Sequence, residues 1–230
     1  MYNEVDRLEK GLYEILEYMS NVHSNAEIIL VDDGSTDDTF ERAQTMLRSF
    51  NFEKSQVLRF ESNRGKGAAV KKGMLTATGD IRAFVDADNA TPIEELTRVL
   101  PMITTLHTIV IGSRGLKESR IETSQVWWRQ SMGKIFNLFP RVLLGLPYKD
   151  TQCGFKVFGA KAAEICFQDQ YIERFAFDAE LLWIAKIQNL NVLEVPVRWR
   201  HVDFSRVNPL KDSMKMAWDA LRIRWIHPQL

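Results

Sequence analysis

Between residues 27 and 111 the chain alternates apolar, strand-like runs with stretches of helical spacing. The strand-like runs are Glu27–Val31, Gln56–Phe60, Ile81–Val85 and Thr108–Ile111, with helical patterns near Asp38–Phe50, Gly67–Ala77 and Pro92–Ile103 between them. Strands joined through helices of this length return by crossovers, so they lie parallel in one sheet with helices on its faces. The expected fold is therefore α/β, with a Rossmann-like, mostly parallel sheet. Thr91, Pro92 and Glu94 read as N-cap, first helical residue and capping box of the third helix. One feature departs from the pattern. The chain opens on a helix, with Val5, Leu8, Leu12, Ile15, Leu16 and Met19 on one face. An α/β domain ordinarily begins on a strand, so the expected sheet has its first strand missing.

Length and charge narrow the possibilities. The 230 residues suit a single domain spanning 1–230. Thirty basic and thirty acidic residues cancel, so no global field attracts nucleic acid and any anion site must be local. Cys153 and Cys166 lack CxxC spacing and a His cluster, and read as reduced core thiols. No run approaches the ~20 apolar residues that span a bilayer. Glu4, Asp6, Glu9 and Lys10 rule out a signal-peptide reading of the start. The expectation is a soluble or peripheral protein of the cytoplasm.

In open α/β sheets ligands bind at the carboxyl ends of the strands, and the polar clusters fall there. Glu27–Val31 runs into Asp32-Asp33-Gly34-Ser35-Thr36-Asp37, Ile81–Val85 into Asp86-Ala87-Asp88, and Thr108–Ile111 into Gly112-Ser113-Arg114. Two carboxylates one residue apart suit a hard divalent cation that shares its oxygen ligands with a phosphate. Thr91 already serves as the cap, so Asp86 and Asp88 are not needed for that purpose. Asp32 and Asp33 read equally well as an ordinary self-capping turn; the acids at 86 and 88 tip the balance toward nucleotide binding. Asn63–Ala69 places a basic, Gly-containing turn at a helix start, where amides and Lys66 could meet a phosphate. Its spacing is not that of a P-loop.

After Arg114 the pattern changes. Ser124–Leu146 carries Trp127, Trp128 and Arg129 with Lys134 and Arg141 among apolar residues, which suits either a membrane-interface helix or a buried one. A Gly-rich turn and strand (Thr151–Phe158), two helical stretches and a strand at Val192–Trp199 follow. An amphipathic helix, Leu210–Ile226, bears Lys211, Lys215, Arg222 and Arg224.

The stretches "YNE" (2–4), "VDDGSTDDT" (31–39), "NRGKGAAVKKGMLTATGD" (63–80), "DADNATP" (86–92), "GSR" (112–114), "DTQCGFKVF" (150–158), "RFAFDAELL" (174–182) and "EVPVRW" (194–199) run in order along nearly the whole chain. Together they resemble family 2 inverting glycosyltransferases of the GT-A fold, the polyprenyl- and dolichyl-phosphate sugar synthases in particular. "DTQCGFK" with "RFAFDAELL" is more similar to dolichyl-phosphate β-glucosyltransferases than to their mannosyl relatives. The resemblance implies a nucleotide-sugar half (1–114) and an acceptor half (115–230). It places Tyr2, Glu4, Asp32 and Asp33 on base and ribose, and Lys66 and Asp86 on the nucleotide. Asp88 becomes the principal ligand of Mg²⁺ or Mn²⁺, with Asp86 beside it and Ala90 leaving a place to water. Arg114 and Arg129 would receive the acceptor phosphate, Arg206 would cover the diphosphate, and Asp178 would lie near the acceptor. The implied partners are a nucleotide sugar (UDP-glucose favoured, GDP-mannose the alternative), a polyprenyl or dolichyl phosphate, and a membrane surface on its cytoplasmic side. A saccharide-hydroxyl acceptor, which would make Asp178 an essential base, and a non-catalytic nucleotide-sugar-binding subunit are the other readings.

Overall fold

The computed structural model describes residues 1–23, 25–50, 52–122, 138–201 and 209–228. The expectations for Arg129, Arg206 and the Trp127–Trp128 pair concern residues outside these.

Helix α1 (Val5–Val22) leads into β1 (Glu27–Asp32), α2 (Thr39–Ser49), β2 (Lys54–Arg59), α3 (Lys66–Thr76), β3 (Ile81–Val85) and α4 (Glu95–Val99). A 3-10 turn and β4 (Thr108–Ser113) complete the first half, followed by the short β5 (Arg120–Ile121). The second half holds α5 (described over 138–144), β6 (Phe155–Gly159), α6 (Ala160–Gln168) and α7 (Phe177–Ile187). It ends with β7 (Asn191–Pro196), β8 (Arg198–Trp199) and α8 (Pro209–Ile226).

The main sheet has the order β3-β6-β4-β7. β6 is antiparallel to β3 and β4, while β4 and β7 are parallel, so one reversed strand is inserted among three that share a direction. β4 and β6 are buried along their whole length. Ile109, Ile111 and Phe158 face a core shared with α6 and α7, while Val110, Phe155 and Val157 face Ile15 and α4. Burial on both faces is why these strands read as continuous apolar runs rather than alternating ones.

Among the strands of the described residues, β1 pairs only with β2, and β3 only with β6. A cavity of about 1060 Å³ is lined on one side by Ile28–Val31 and on the other by Ile81–Val85. Met1 lies against the end of β1. Its ammonium donates to the Val31 carbonyl (2.8 Å) and its carbonyl accepts from the Asp33 amide (2.7 Å), a single rung of a parallel ladder.

Two local expectations change. Thr91 is not a helix cap: its hydroxyl meets the Cys153 thiol at 3.6 Å. Asn89, at φ 52°, turns the chain so that its side-chain oxygen accepts from the Ile93 amide (2.9 Å), and α4 starts only at Glu95. Glu95 itself is drawn to Arg98 (2.6 Å) and Arg198 (2.8 Å). The strand expected at Val192–Trp199 breaks at Pro196, which cannot donate to a ladder; β8 then pairs with β5 instead of β4.

Candidate active site

Asp86, Ala87 and Asp88 leave the carboxyl end of β3 in a tight turn closed by the Asn89 amide on the Asp86 carbonyl (3.0 Å). Two elements clamp this turn. Helix α1 crosses it at Gly11, where a Cβ would stand 2.5 Å from the Ala87 carbonyl oxygen. Below it, the Asp86 amide donates to the Gly154 carbonyl (3.1 Å), and the Asp86 carboxylate lies flat on Gly154, where a Cβ would stand 2.0 Å from Oδ2. Because β6 runs against its neighbours, its start lies beside the ends of β3 and β4. Asp88 folds its own turn as well, accepting from the Ala90 amide at 3.1 Å.

Lys66, the first residue of α3, points across to Asp86 with Nζ 2.6 Å from Oδ1. Burial works against its charge, but Asp86 and Asp178 outweigh it and hold the ammonium above lysine's ordinary range. Lys66 is thus a fixed cation at neutral pH. Three of the amides in the stretch expected to meet a phosphate are already used: those of Arg64 and Gly65 donate to Asp33 (both 2.8 Å), and that of Ala68 donates to the Glu173 carbonyl (3.0 Å).

Asp33 organises that turn, since Asn63 also donates to it at 2.8 Å. Asp32 is fully buried and accepts from the Ser35 amide (3.1 Å) and hydroxyl, with Arg59 at 3.3 Å. This is the self-capping turn that the sequence also allowed. Asn3 ties the start of the chain to the same turn: its amide donates to Ser35 Oγ (2.9 Å) and its side chain accepts from the Thr36 amide (2.8 Å).

Arg114 follows β4 and is gripped by buried Asp150, with Nε at 2.7 Å and Nη2 at 3.0 Å. Burial opposes both charges; the pairing overrides it, raising the guanidinium and bringing the Asp150 carboxyl down to about 2. Half of the Arg114 fork is therefore committed before any acceptor arrives.

Asp178, in the first turn of α7, is buried and ion-paired with Lys156 of β6, which also donates to the Cys153 carbonyl (2.7 Å). Burial pushes the Asp178 carboxyl up, and Lys156 and Lys66 offset only part of that. The geometry makes it the buried counter-charge of Lys156.

Tyr2, Glu4, Asp33, Lys66, Asp86, Asp88 and Arg114 line one crevice, joined by Arg174, Trp199 and His201. Asp32 and Asp178 lie behind its wall. Gly154, Lys156 and Asp150 have no chemical signature as isolated residues, although "DTQCGFK" carries all three. Among the described residues no group of three or more His, Cys, Asp or Glu could hold a metal unaided. Asp86 and Asp88 do supply hard oxygens on one wall, a set that suits Mg²⁺ or Mn²⁺ when a phosphate ligand and water complete the shell.

A mixed sheet whose strand ends gather paired acids, a fixed lysine and a clamped arginine in one crevice is the architecture of a GT-A glycosyltransferase, and the chain belongs to glycosyl transferase family 2, whose family model matches residues 1–164. It is accordingly a glycosyltransferase. A dolichyl-phosphate beta-glucosyltransferase of Dictyostelium discoideum is 35% identical over 97% of this chain and 72% of its own length. The Homo sapiens protein of the same name is 31% identical over 97% and 72%. Among solved structures, the Mycobacterium tuberculosis glucosyl-3-phosphoglycerate synthase with Mn²⁺, UDP and glucosyl-3-phosphoglycerate superposes with a TM-score of 0.67. It is 20% identical, covering 97% of this chain and 77% of that one, a likeness of fold. Among the described residues no helix is long and apolar enough to cross a membrane.

Proposed function

We propose that the chain moves glucose from UDP-glucose to a polyprenyl phosphate of the dolichyl type, inverting the anomeric centre, while attached peripherally to a membrane. The observation that carries this reading is the pairing of Asp86 with Lys66 beside Asp88, facing Arg114 in the same crevice; the names of the relatives supply the sugar and the acceptor class.

The chain's own residues divide the work. Lys66 remains protonated and faces the side where a leaving diphosphate gains charge, a preorganised electrostatic contribution. Asp88, supported by Asp86, would hold the divalent cation, which supplies Lewis-acid neutralisation of the departing phosphate when bound. Arg114, oriented by Asp150, offers its remaining N–H edge to the acceptor phosphate. A phosphate monoester with a second pKa near ~6 is already largely anionic at neutral pH, so it needs positioning rather than deprotonation. The buried Lys156–Asp178 pair accords with this: a lipid phosphate requires no base, whereas a sugar hydroxyl would.

The test is radiolabel transfer from UDP-glucose and GDP-mannose to a polyprenyl phosphate, with Mg²⁺, with Mn²⁺ and in chelator. Transfer from UDP-glucose, lost in chelator and in Asp88→Ala, is expected. Transfer from GDP-mannose alone would overturn the donor, and full activity in chelator would overturn the metal ligands.

A further inference from the structure

Helix α8 is fastened to the body by one face. Ala220, Ile223 and His227 are buried. The His227 ring meets Glu180 at 2.9 Å, and the Trp183 indole donates to the His227 carbonyl at 3.0 Å. At 3.6 residues per turn, Trp218, Leu221 and Trp225 fall on the opposite side. They are 64%, 43% and 88% exposed. Lys215, Arg222 and Arg224 flank them and are exposed too. The neighbouring acid, Asp219, is largely covered and lies 3.5 Å from Arg222. Two outward tryptophans and a leucine in one row leave much of their apolar surface in water, and a patch of that kind marks an interaction surface.

We propose that the Trp218–Leu221–Trp225 stripe of α8 is the surface on which the enzyme lies against an anionic lipid bilayer. Indole rings favour the head-group boundary, where one part is apolar and the N–H stays wet. Lysine and arginine beside them can lay their stems on the apolar layer and pair with anionic head groups. A twofold pairing of α8 with a second copy would instead bring its basic flanks together.

Two further observations agree. The described part of α5 is also outward and apolar, with Leu138 and Phe139 exposed and Val142 at 73%. Both helices meet at the end of α7: Lys186 donates to the Leu144 and Gly145 carbonyls (3.1 and 3.0 Å), and Lys186 and Arg224 both lie over the Trp183 ring. Moreover Arg174, which lines the catalytic crevice, also lines the hollow beside Trp218 with Lys215 and Arg222. A bilayer on the stripe would therefore adjoin the crevice that an acceptor's phosphate must enter. Only the purpose of the docking rests on the lipid-phosphate reading.

Cosedimentation with vesicles of phosphatidylcholine, with and without phosphatidylglycerol, tests it. The intact chain is expected to bind the anionic vesicles, less so at high salt, and Trp218→Ala/Trp225→Ala to lower the partition coefficient about tenfold or more. Thermal melting should not change, since neither ring is buried. Unaltered partition of the double variant would overturn the proposal. So would a wild-type dimer that the variant renders monomeric while neither form binds vesicles. Transfer to a short-chain, water-soluble polyprenyl phosphate separates the two claims. If the wild type binds vesicles through the stripe but glucosylates no lipid phosphate, the docking stands and the acceptor reading falls.

Discussion

Gly154→Ala is the sharpest probe of the site, because it adds one methyl group at a position that has no chemistry of its own. The Cβ would stand 2.0 Å from Asp86 Oδ2 and 2.3 Å from its Cγ. Restoring even a 3.0 Å separation requires Oδ2 to retreat by about 1 Å, and the rigid start of β6 leaves the carboxylate as the part that moves. That displacement opens the 2.6 Å contact with Lys66 and shifts the wall on which Asp88 sits. A misplacement of about 1 Å at reacting groups costs on the order of 10²-fold in rate. The accompanying overpacking costs about 1–3 kcal/mol, or roughly 2–12 °C in Tm for a domain of this size. Steady-state transfer, calorimetric titration with UDP and thermal melting read the three effects. The Asp86→Ala/Gly154→Ala double variant removes the colliding oxygens, so its Tm should recover while its activity does not. A Gly154→Ala enzyme with the parent kcat/KM and Tm would refute the idea that Asp86 rests on this glycine.

Two other perturbations address the charges behind the wall. Lys156→Met leaves Asp178 buried without its cation and should cost about 3–5 kcal/mol in urea denaturation, whereas Lys156→Met/Asp178→Asn should regain most of it; equal losses in both would show that the pair is not coupled. Asp150 is held down at about 2 from the ordinary 3.8. A depressed carboxyl stabilises the fold above its unfolded value and loses that contribution as pH falls through the folded one. Stability should therefore drop by about 2 kcal/mol between pH 4 and 2, a step absent in Asp150→Asn. An unchanged acid limb in that variant would remove Asp150 from the account.

The boundary between sequence and tertiary structure is sharp in this protein. Strand and helix periods are local, so the alternation over residues 27–111 specified the parallel elements and put Asp86, Asp88 and Arg114 at strand ends without further information. Capping was less secure: Thr91 satisfied every local rule, yet Asn89 took the turn, because its amide also reaches Glu14 of α1 at 2.8 Å. Asp32 and Asp33 were legible as a pair but not as different residues; only packing made one an internal cap and the other the anchor of the 63–65 turn. The reversal of β6 had no local signal at all. It alone brings Gly154 under Asp86 and Lys156 to Asp178, contacts between residues 68 and 22 positions apart. A polar side chain carries its charge in the sequence, but the partner that sets its role is chosen by strand order and burial, which no short-range period encodes.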